Sequence, residues 1–240
     1  DEAIKSQSVF NAQECAIKLG KDAPLPASEL SQRWDKAETK IKLCPGAYVT
    51  KLEDSIFVID GFYPALREKF TFEKAQLRLF VVAFEPTKIS WSKFRTEIIG
   101  ATNPSKAKEN SLRANILANY QNLDLAAPPD VTDNGVHGSA GPLEAIKERL
   151  VWLNFTLDND PSATKLIGQN EDAAKRRSIL QSFLDNPLID TSTEQAPVFD
   201  LTEDKDTADL MQLLADALEK SQEVSKDQNA KTESEINQTD

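Results

Sequence analysis

The feature that most limits the possible folds is an almost unbroken apolar segment at residues 77–84, Leu-Arg-Leu-Phe-Val-Val-Ala-Phe. Its length suits a β-strand and is far too short to cross a bilayer. A strand with apolar side chains on both faces is typical of the centre of a sheet that is covered on both sides. The segment therefore predicts a central strand within a layered domain.

Strand and helix patterns alternate around this segment. Short strands are predicted at residues 14–18 and 40–44, and Pro45-Gly46 should end the second one. Helices are predicted where apolar residues recur every three or four positions. These helices span residues 28–37, 63–70, 90–99, 111–120 and 143–153. The alternation predicts an α+β sandwich, a sheet with helices packed on one face.

The helix at residues 90–99 carries its own start and stop signals. Ser90 is expected to cap its N-terminus, and Gly100 is expected to end it. The spacing of Trp91, Phe94 and Ile98 predicts that these three side chains face inward.

Charge is distributed unevenly along the chain. Residues 156–240 contain 19 acidic and 8 basic side chains, whereas the preceding residues contain 20 of each. The whole net charge of −11 therefore lies in the last third. An acidic extension on a neutral body argues against nucleic-acid binding, which needs an excess of Lys and Arg facing phosphates.

The two cysteines, Cys15 and Cys44, are too few for a disulfide framework, and neither lies in a zinc-binding pattern. No apolar run is long enough to span a membrane, and the N-terminus lacks a basic segment followed by an apolar one. These patterns predict a cytoplasmic protein without a membrane partner. Asp1 is not a natural start, so a removed targeting segment remains an open alternative.

Four segments are predicted along the chain: a flexible N-terminus (1–12), a folded domain (13–155), a partly helical acidic extension (156–220) and a disordered tail (221–240). The tail has no aromatic and almost no apolar residues to offset the entropy of ordering. In the extension, residues 173–184 and 206–220 have helical spacing. The second helix aligns an apolar stripe of Leu210, Leu213, Leu214, Ala217 and Leu218. Such a stripe must be buried, which suggests a protein partner for this helix.

The single histidine, His137, lies in the segment Asn-Gly-Val-His-Gly-Ser at residues 134–139, after a long loop and before a predicted helix. A lone histidine is more often a surface or hydrogen-bonded residue than a nucleophile. Here, however, Gly138 lets the backbone approach a ligand closely, and exposed amides before a helix can bind an anion. These surroundings favour a functional role.

The segment resembles the signature of the nucleoside diphosphate kinase family, Asn-x-x-His-Gly-Ser-Asp followed by a helix with a glutamate and a tryptophan. Glu148 and Trp152 lie at the family's spacing from His137. Four more segments are similar to family segments in the same order: residues 16–34, 62–66, 100–104 and 111–113. The resemblance covers residues 13–155 and implies a ferredoxin-like α+β sandwich.

What the resemblance implies for the chemistry is a phosphohistidine. His137 would take the γ-phosphate of a nucleoside triphosphate and pass it to a nucleoside diphosphate. Glu148 would hold the other ring nitrogen, and Ser139 would lie beside the nucleophile.

The resemblance also implies a nucleotide site. Lys18 and Arg113 would neutralise the transferring phosphate, Thr102 would bind a phosphate, Asn134 would bind the ribose and Phe62 would stack on the base. Mg²⁺ would bridge the phosphates, with no protein residue assigned as its ligand. Family members form homo-oligomers, so a homo-oligomer is also expected.

Several of these residues also have ordinary structural interpretations. Lys18 could be a solvated lysine, Thr102 a turn residue, Phe62 a core residue and Glu148 a residue of an exposed helix face. Their joint order and spacing favour the functional interpretation.

The chain also departs from the family pattern. Residues 19–21 replace the family's Pro-Asp-Gly, and Asp54 replaces its tyrosine. Thr96 replaces its second phosphate-binding arginine, and Ala140 replaces its final aspartate. Arg95, adjacent to Thr96, is the candidate for this nucleotide-binding role, although one residue along a helix turns a side chain by about 100°. Between Arg113 and Asn134 lies an insertion of 20 residues. Two hypotheses therefore remain: an active phosphotransferase, or a weak or inactive relative that binds nucleotides or proteins.

Overall fold

The computed structural model describes residues 8–44, 47–53, 56–191 and 195–236. The chain divides into two compact units, one ending at Val82 and the other beginning at Ala83. Helices and strands are both present, and the larger sheet is mainly antiparallel, which agrees with the predicted α+β class.

The first unit contains a four-stranded sheet in the order β1-β4-β3-β2, with β1 parallel to β4 and the other pairs antiparallel. Its strands are β1 (Val9–Asn11), β2 (Lys40–Cys44), β3 (Ala47–Glu53) and β4 (Ile56–Ile59). Its helices are α1 (Ala12–Leu19), α2 (Ala27–Lys36) and α3 (Tyr63–Thr71). The core of this unit includes Cys15, Leu30, Trp34 and Val58.

Three sequence predictions for this unit are confirmed. The strand at residues 40–44 and the helices at 28–37 and 63–70 are present, and the first of these helices begins at Ala27, after Pro26. Pro45 and Gly46 lie outside the described residues, as do residues 1–7 and Asp54. Residues 9–11, predicted to be flexible, pair with β4 as strand β1.

The strand predicted at residues 14–18 is wrong, because this segment lies in helix α1. Asn11 caps the helix. Its side-chain oxygen accepts from the Glu14 amide at 2.9 Å, and the Glu14 carboxylate accepts from the Asn11 amide at 3.2 Å. This reciprocal capping box satisfies backbone donors that would otherwise be unpaired, and it outweighs the strand-like composition.

Replacing Asn11 with alanine should therefore lower the free energy of unfolding by about 1 kcal/mol, because the cap is lost while the strand-forming residues are kept. Urea denaturation measures this change. Gln13→Ala, an exposed position in the same helix, serves as the control and should change stability little. Equal stability of the Asn11 variant and the parent would contradict the capping role.

The central strand predicted at residues 77–84 is also wrong. These residues form neither helix nor strand, and no strand among the described residues pairs with them. Phe80, Val81 and Val82 are 83%, 62% and 55% exposed. In the first unit, β1–β4 hydrogen-bond to one another. An apolar run alone is therefore not enough to form a strand, because it does not specify a neighbouring strand to pair with.

The second unit is mainly helical. Helix α4 (Trp91–Lys93) continues as a π-helical turn over Phe94–Ile99, and a 3₁₀ turn follows at Pro104–Lys106. The longer helices are α5 (Leu112–Asn119), α6 (Pro142–Trp152), α7 (Pro161–Ile167), α8 (Ala173–Phe183), α9 (Val198–Thr202) and α10 (Thr207–Ile236). Strands β5 (Leu188–Asp190) and β6 (Gln195–Pro197) form an antiparallel pair. No helix within the described ranges has both the length and the apolar character needed to cross a membrane.

The predicted boundary at residue 155 lies inside this unit. Leu143 and Ile146 of α6 share one core with Leu180 of α8 and with Leu210 and Leu214 of α10. The apolar stripe of α10 is thus buried by this chain itself, which removes the exposed face that suggested a protein partner.

Helix α10 extends through Ile236, whereas a disordered tail was predicted from residue 221. Lys, Glu, Gln and Ala, which favour helices, recur along the last part of this helix. Residues 237–240 lie outside the described part of the chain.

The predicted start and end of the helix at residues 90–99 are confirmed, but its inner face is not. The Ser90 hydroxyl accepts from the Lys93 amide at 3.3 Å, and Gly100 ends the helix with a φ of 98°. The wider π-helical turn shifts the later residues. As a result Ile99 is buried, whereas Ile98 is 45% exposed.

Candidate functional site

Helix α6 places two carboxylates on one face. Glu144 and Glu148 lie four residues apart, and their side chains reach residues 137–140 of the preceding loop. The helix itself is held by Leu143 and Ile146, which are fully buried. The carboxylates therefore extend from a fixed element toward the loop that carries the histidine.

His137 is held by one ring nitrogen. Its Nε2 atom lies 2.5 Å from Oε1 of Glu148, as the family resemblance implied. The imidazole side chain is 68% exposed, whereas that of Glu148 is 26% exposed. Within the described ranges, Nδ1 makes no hydrogen bond, and the side chain that carries it is largely exposed.

Glu148 is itself held from a second side. The Ser139 hydroxyl donates to Oε2 of Glu148 at 2.5 Å, so each carboxylate oxygen has a partner. One turn earlier, the Glu144 carboxylate accepts from the backbone amide of Ala140. These contacts join the loop to helix α6 at the histidine and at the two residues Ser139 and Ala140 that follow it.

The two carboxylates change the protonation of the imidazole. The hydrogen bond that the ring donates to Glu148 raises the pKa of His137 above its usual range and outweighs burial, which lowers it. The negative charge of Glu144 also raises this pKa. Burial alone would raise the pKa of Glu148, but hydrogen bonds from His137 and Ser139 outweigh burial and lower it. The neutral imidazole that a nucleophile requires therefore forms at a higher pH than in a free histidine.

This shift can be measured directly, because His137 is the only histidine in the chain. An NMR titration of its ring protons should give a pKa above the usual histidine value of about 6.5. Glu144→Gln should lower that pKa, since the substitution removes one of the charges that stabilise the imidazolium. Any reaction that needs neutral His137 should speed up as the pH rises through this pKa. An unshifted pKa in the parent protein would contradict the arrangement.

Arg113 connects the two segments that flank the site. Its Nη1 donates to the Gly100 carbonyl at 2.7 Å, and its Nη2 donates to the Val136 carbonyl at 2.8 Å. Its Nε is buried and has no hydrogen-bond partner among the described residues. The guanidinium therefore holds the residue before His137 against the end of the π-helical turn.

Arg95 is occupied by two carboxylates. Its Nη1 lies 3.0 Å from Glu203 and 2.7 Å from Asp204, in the turn between α9 and α10. Two acidic side chains thus offset the charge of this guanidinium, and both belong to residues 156–220, which were predicted to be an extension outside the domain.

Asn134 and Thr102 come together through the backbone. The Asn134 side-chain Nδ2 donates to the Thr102 backbone carbonyl at 3.3 Å, and Asn134 Oδ1 accepts from the Val136 backbone amide at 3.4 Å. The Thr102 side chain is exposed. Gly138 packs against Ile99, whose Cγ1 would lie 3.2 Å from an added Cβ. These contacts shape the loop before and after His137.

The other two predicted residues belong to the first unit. Lys18 lies in the last turn of α1, with its ammonium 5.1 Å from the centre of the Phe10 ring. The Phe62 ring packs on Trp34 with a centroid distance of 5.7 Å. The second unit thus brings together His137, Ser139, Glu148, Arg113 and Arg95, and it joins Asn134 to Thr102, whereas Lys18 and Phe62 contact residues of the first unit.

One group of side chains has the donors for a metal ion. Ligand atoms of His137, Glu144 and Glu148 all lie within 4.8 Å of one another. Nitrogen and carboxylate donors suit divalent cations. Both carboxylates, however, already accept hydrogen bonds from the loop. These hydrogen bonds orient the histidine and do not require a metal ion.

The sequence analysis did not identify Glu144 or Trp91 as site residues. The position of Glu144, four residues before Glu148, was a usable signal, because such a pair shares a helix face. Trp91 contacts the histidine loop through the Ser139 carbonyl, 48 residues away in sequence, and local patterns contain no trace of this contact.

Comparisons with known proteins identify no relative: no protein-family model, curated protein or solved structure matches the chain. The family resemblance therefore rests on the sequence motifs.

Proposed function

We propose that this protein transfers the terminal phosphate of a nucleoside triphosphate to a nucleoside diphosphate through a phosphohistidine at His137. One observation carries the proposal: Glu148 holds Nε2 of the ring, while Nδ1 has no hydrogen-bond partner among the described residues and the side chain is largely exposed. This is the geometry that a nucleophilic imidazole needs, since the hydrogen bond at one nitrogen fixes the lone pair at the other.

The transfer takes two steps. The Nδ1 lone pair of neutral His137 attacks the γ-phosphorus, the bond between that phosphorus and the bridging oxygen breaks, and a nucleoside diphosphate leaves with the electron pair. A terminal oxygen of a second nucleoside diphosphate then attacks the phosphohistidine, and Nδ1 recovers its lone pair. Dividing the transfer in this way lets one site serve both donor and acceptor.

Glu148 acts on the charge that develops in the ring. As the bond from Nδ1 to phosphorus forms, the imidazole becomes cationic, and the carboxylate at Nε2 stabilises that charge. Ser139 holds the second oxygen of the same carboxylate and so limits its rotation. Glu148 and Ser139 therefore orient the ring before any phosphate arrives.

Positive charge for the phosphates would come from Arg113 and from Mg²⁺ bound to the nucleotide. Each terminal nitrogen of Arg113 has two N–H bonds, and the backbone contacts use one at each nitrogen. Mg²⁺ would offset the negative charge of the phosphates, and we assign no residue of the chain as its ligand. Roles for Lys18, Phe62, Thr102 and Asn134 stay predictions, as do the ferredoxin-like arrangement, the homo-oligomer and the cytoplasmic location.

A second candidate function is binding without catalysis, as a nucleotide-binding or protein-interaction module. The engagement of the arginines favours it, because Arg95 is paired with Glu203 and Asp204 and Arg113 is bonded to two carbonyls. A phosphate would then meet fewer available donors than an efficient phosphotransferase offers.

An exchange assay separates the two candidates. The full chain is incubated with γ-labelled ATP, Mg²⁺ and GDP, and the formation of labelled GTP is followed at several concentrations of both substrates. Phosphotransfer predicts labelled GTP with parallel double-reciprocal plots, which indicate a covalent intermediate. Nucleotide binding measured by calorimetry with no labelled GTP would reject the enzyme and favour the binding module.

A further inference from the structure

Residues from distant parts of the chain bind two consecutive backbone carbonyls, those of Ser139 and Ala140, shortly after the histidine. The Trp91 indole Nε1 donates to the Ser139 carbonyl at 2.8 Å. The Ala140 carbonyl accepts from the Asp204 amide at 2.9 Å and from Arg95 Nη1 at 3.4 Å. The backbone of the loop is therefore fixed by contacts besides those to helix α6.

The residues that hold the loop are themselves tied together. Trp91 and Arg95 lie four residues apart, along α4 and the π-helical turn that continues it. The Trp91 amide donates to Asp206 at 2.8 Å, while Arg95 pairs with Glu203 and Asp204. One helical segment thus anchors both the histidine loop and the turn between α9 and α10.

The loop also packs tightly on the end of α9. A Cβ added at Gly141 would lie 2.1 Å from the Thr202 carbonyl oxygen, so the two backbones are in direct contact. Small residues at such positions allow an approach that any side chain would prevent. The junction between the loop and helix α6 is therefore held against the end of α9.

We propose that the Trp91 indole is a positioning residue that fixes the Ser139 backbone and so brings the Ser139 hydroxyl and the His137 ring onto Glu148. The inference deepens the proposed function, on which its kinetic consequence rests. Ser139 is the link, since its carbonyl binds Trp91 and its hydroxyl binds the carboxylate that holds the histidine. Losing the indole N–H frees this segment, and catalytic geometry is sensitive to displacements of about 1 Å.

Trp91→Phe removes the N–H donor and keeps an aromatic ring that can pack on Phe84, whose centroid lies 5.4 Å from the Trp91 ring. In the variant, the NMR titration of the single histidine should give a pKa closer to the usual value, because the bond between His137 and Glu148 loosens. The kcat of labelled GTP formation should fall roughly tenfold, with the nucleotide KM within about twofold of the parent. Lys93→Gln, an exposed position on the same helix, should leave the histidine pKa and kcat unchanged.

Arg95→Gln is the second variant, because it removes the side-chain contact to the Ala140 carbonyl, and it should lower the histidine pKa and kcat as Trp91→Phe does. If Trp91→Phe fails to fold, Arg95→Gln tests whether anchoring of the Ser139–Ala140 backbone sets the geometry of the histidine, and a parent-like histidine pKa and kcat in it would overturn the proposal. A parent-like histidine pKa and kcat in the folded Trp91 variant would overturn the proposal. If the parent transfers no phosphate, the titration still decides: a lowered pKa in Trp91→Phe supports positioning by the indole, and an unchanged pKa refutes it.

Discussion

Replacing Glu148 with glutamine should slow the phosphorylation of His137 by roughly 100-fold, as expected when the group that orients a reacting histidine is lost. The amide keeps the size of the side chain but cannot stabilise the imidazolium that forms as Nδ1 bonds to phosphorus. It also changes the partner of the Ser139 hydroxyl. Single-turnover labelling with γ-labelled ATP at saturating nucleotide measures the rate of this step.

Glu144→Gln is the matched control for that experiment. It makes the same chemical change one turn earlier on the same helix, where the carboxylate binds the Ala140 amide and influences the imidazole only by its charge. Its effect on the labelling rate should stay below about tenfold. A Glu148 variant that labels at the parent rate would remove the carboxylate from the mechanism.

Replacing Asp160 with alanine should destabilise the second unit by about 3–5 kcal/mol, the usual cost of breaking a buried ion pair from one side. Asp160 is fully buried, and its carboxylate accepts from Arg149 at 2.5 and 3.0 Å. It also caps helix α7 by accepting from the Ser162 and Ala163 amides, each at 2.9 Å. The substitution leaves the Arg149 charge, whose side chain is 16% exposed, without its partner.

Asp158→Ala provides the comparison, because it breaks an ion pair with Arg177 at 2.7 Å whose carboxylate side chain is 69% exposed. Exposed pairs contribute at most about 1 kcal/mol, so this variant should unfold close to the parent in urea. Similar denaturation midpoints for the Asp158 and Asp160 variants would contradict the structural role of the buried pair.

The buried carboxylate of Asp160 also predicts that the stability of the protein depends on pH. Burial acts against the ionised form of Asp160, but hydrogen bonds from Arg149, Ala163 and Ser162 outweigh burial and lower its pKa. Because the folded-state pKa is lowered, this stabilisation is present above the unfolded-state pKa of about 3.9 and is lost as the pH falls below it. The parent should therefore lose more stability than the Asp160 variant as the pH is lowered below about 3.9.

Local patterns predicted the helices well because each pattern reports on a single element. The apolar spacing of α6, the Ser90 cap and the leucine stripe of α10 all describe residues within a few turns of one another. Sheet pairing depends on distant partners, and only one of the three predicted strands, at residues 40–44, is present. Residues 77–84 have the composition of a central strand but no neighbouring strand, and the Asn11 cap directed residues 14–18 into a helix.

In the candidate site, too, contacts between residues close in sequence could be predicted, whereas contacts between distant residues could not. The contacts among His137, Ser139 and Glu148 follow from residues 11 positions apart or fewer, which lie in one loop and the helix after it. The surroundings of Arg95 depend on Glu203 and Asp204, 108 and 109 positions away. A family pattern that ends near residue 155 contains no information on carboxylates that the chain supplies later.

The most direct test of the account is the covalent state of His137. The full chain is treated with γ-labelled ATP and Mg²⁺, separated from nucleotide, and exposed to acid or base, with His137→Gln run in parallel. The account predicts label on the parent that acid removes and base does not, as phosphohistidine requires, and none on the variant. An unlabelled parent, or a His137 variant that labels as fully as the parent, would contradict it.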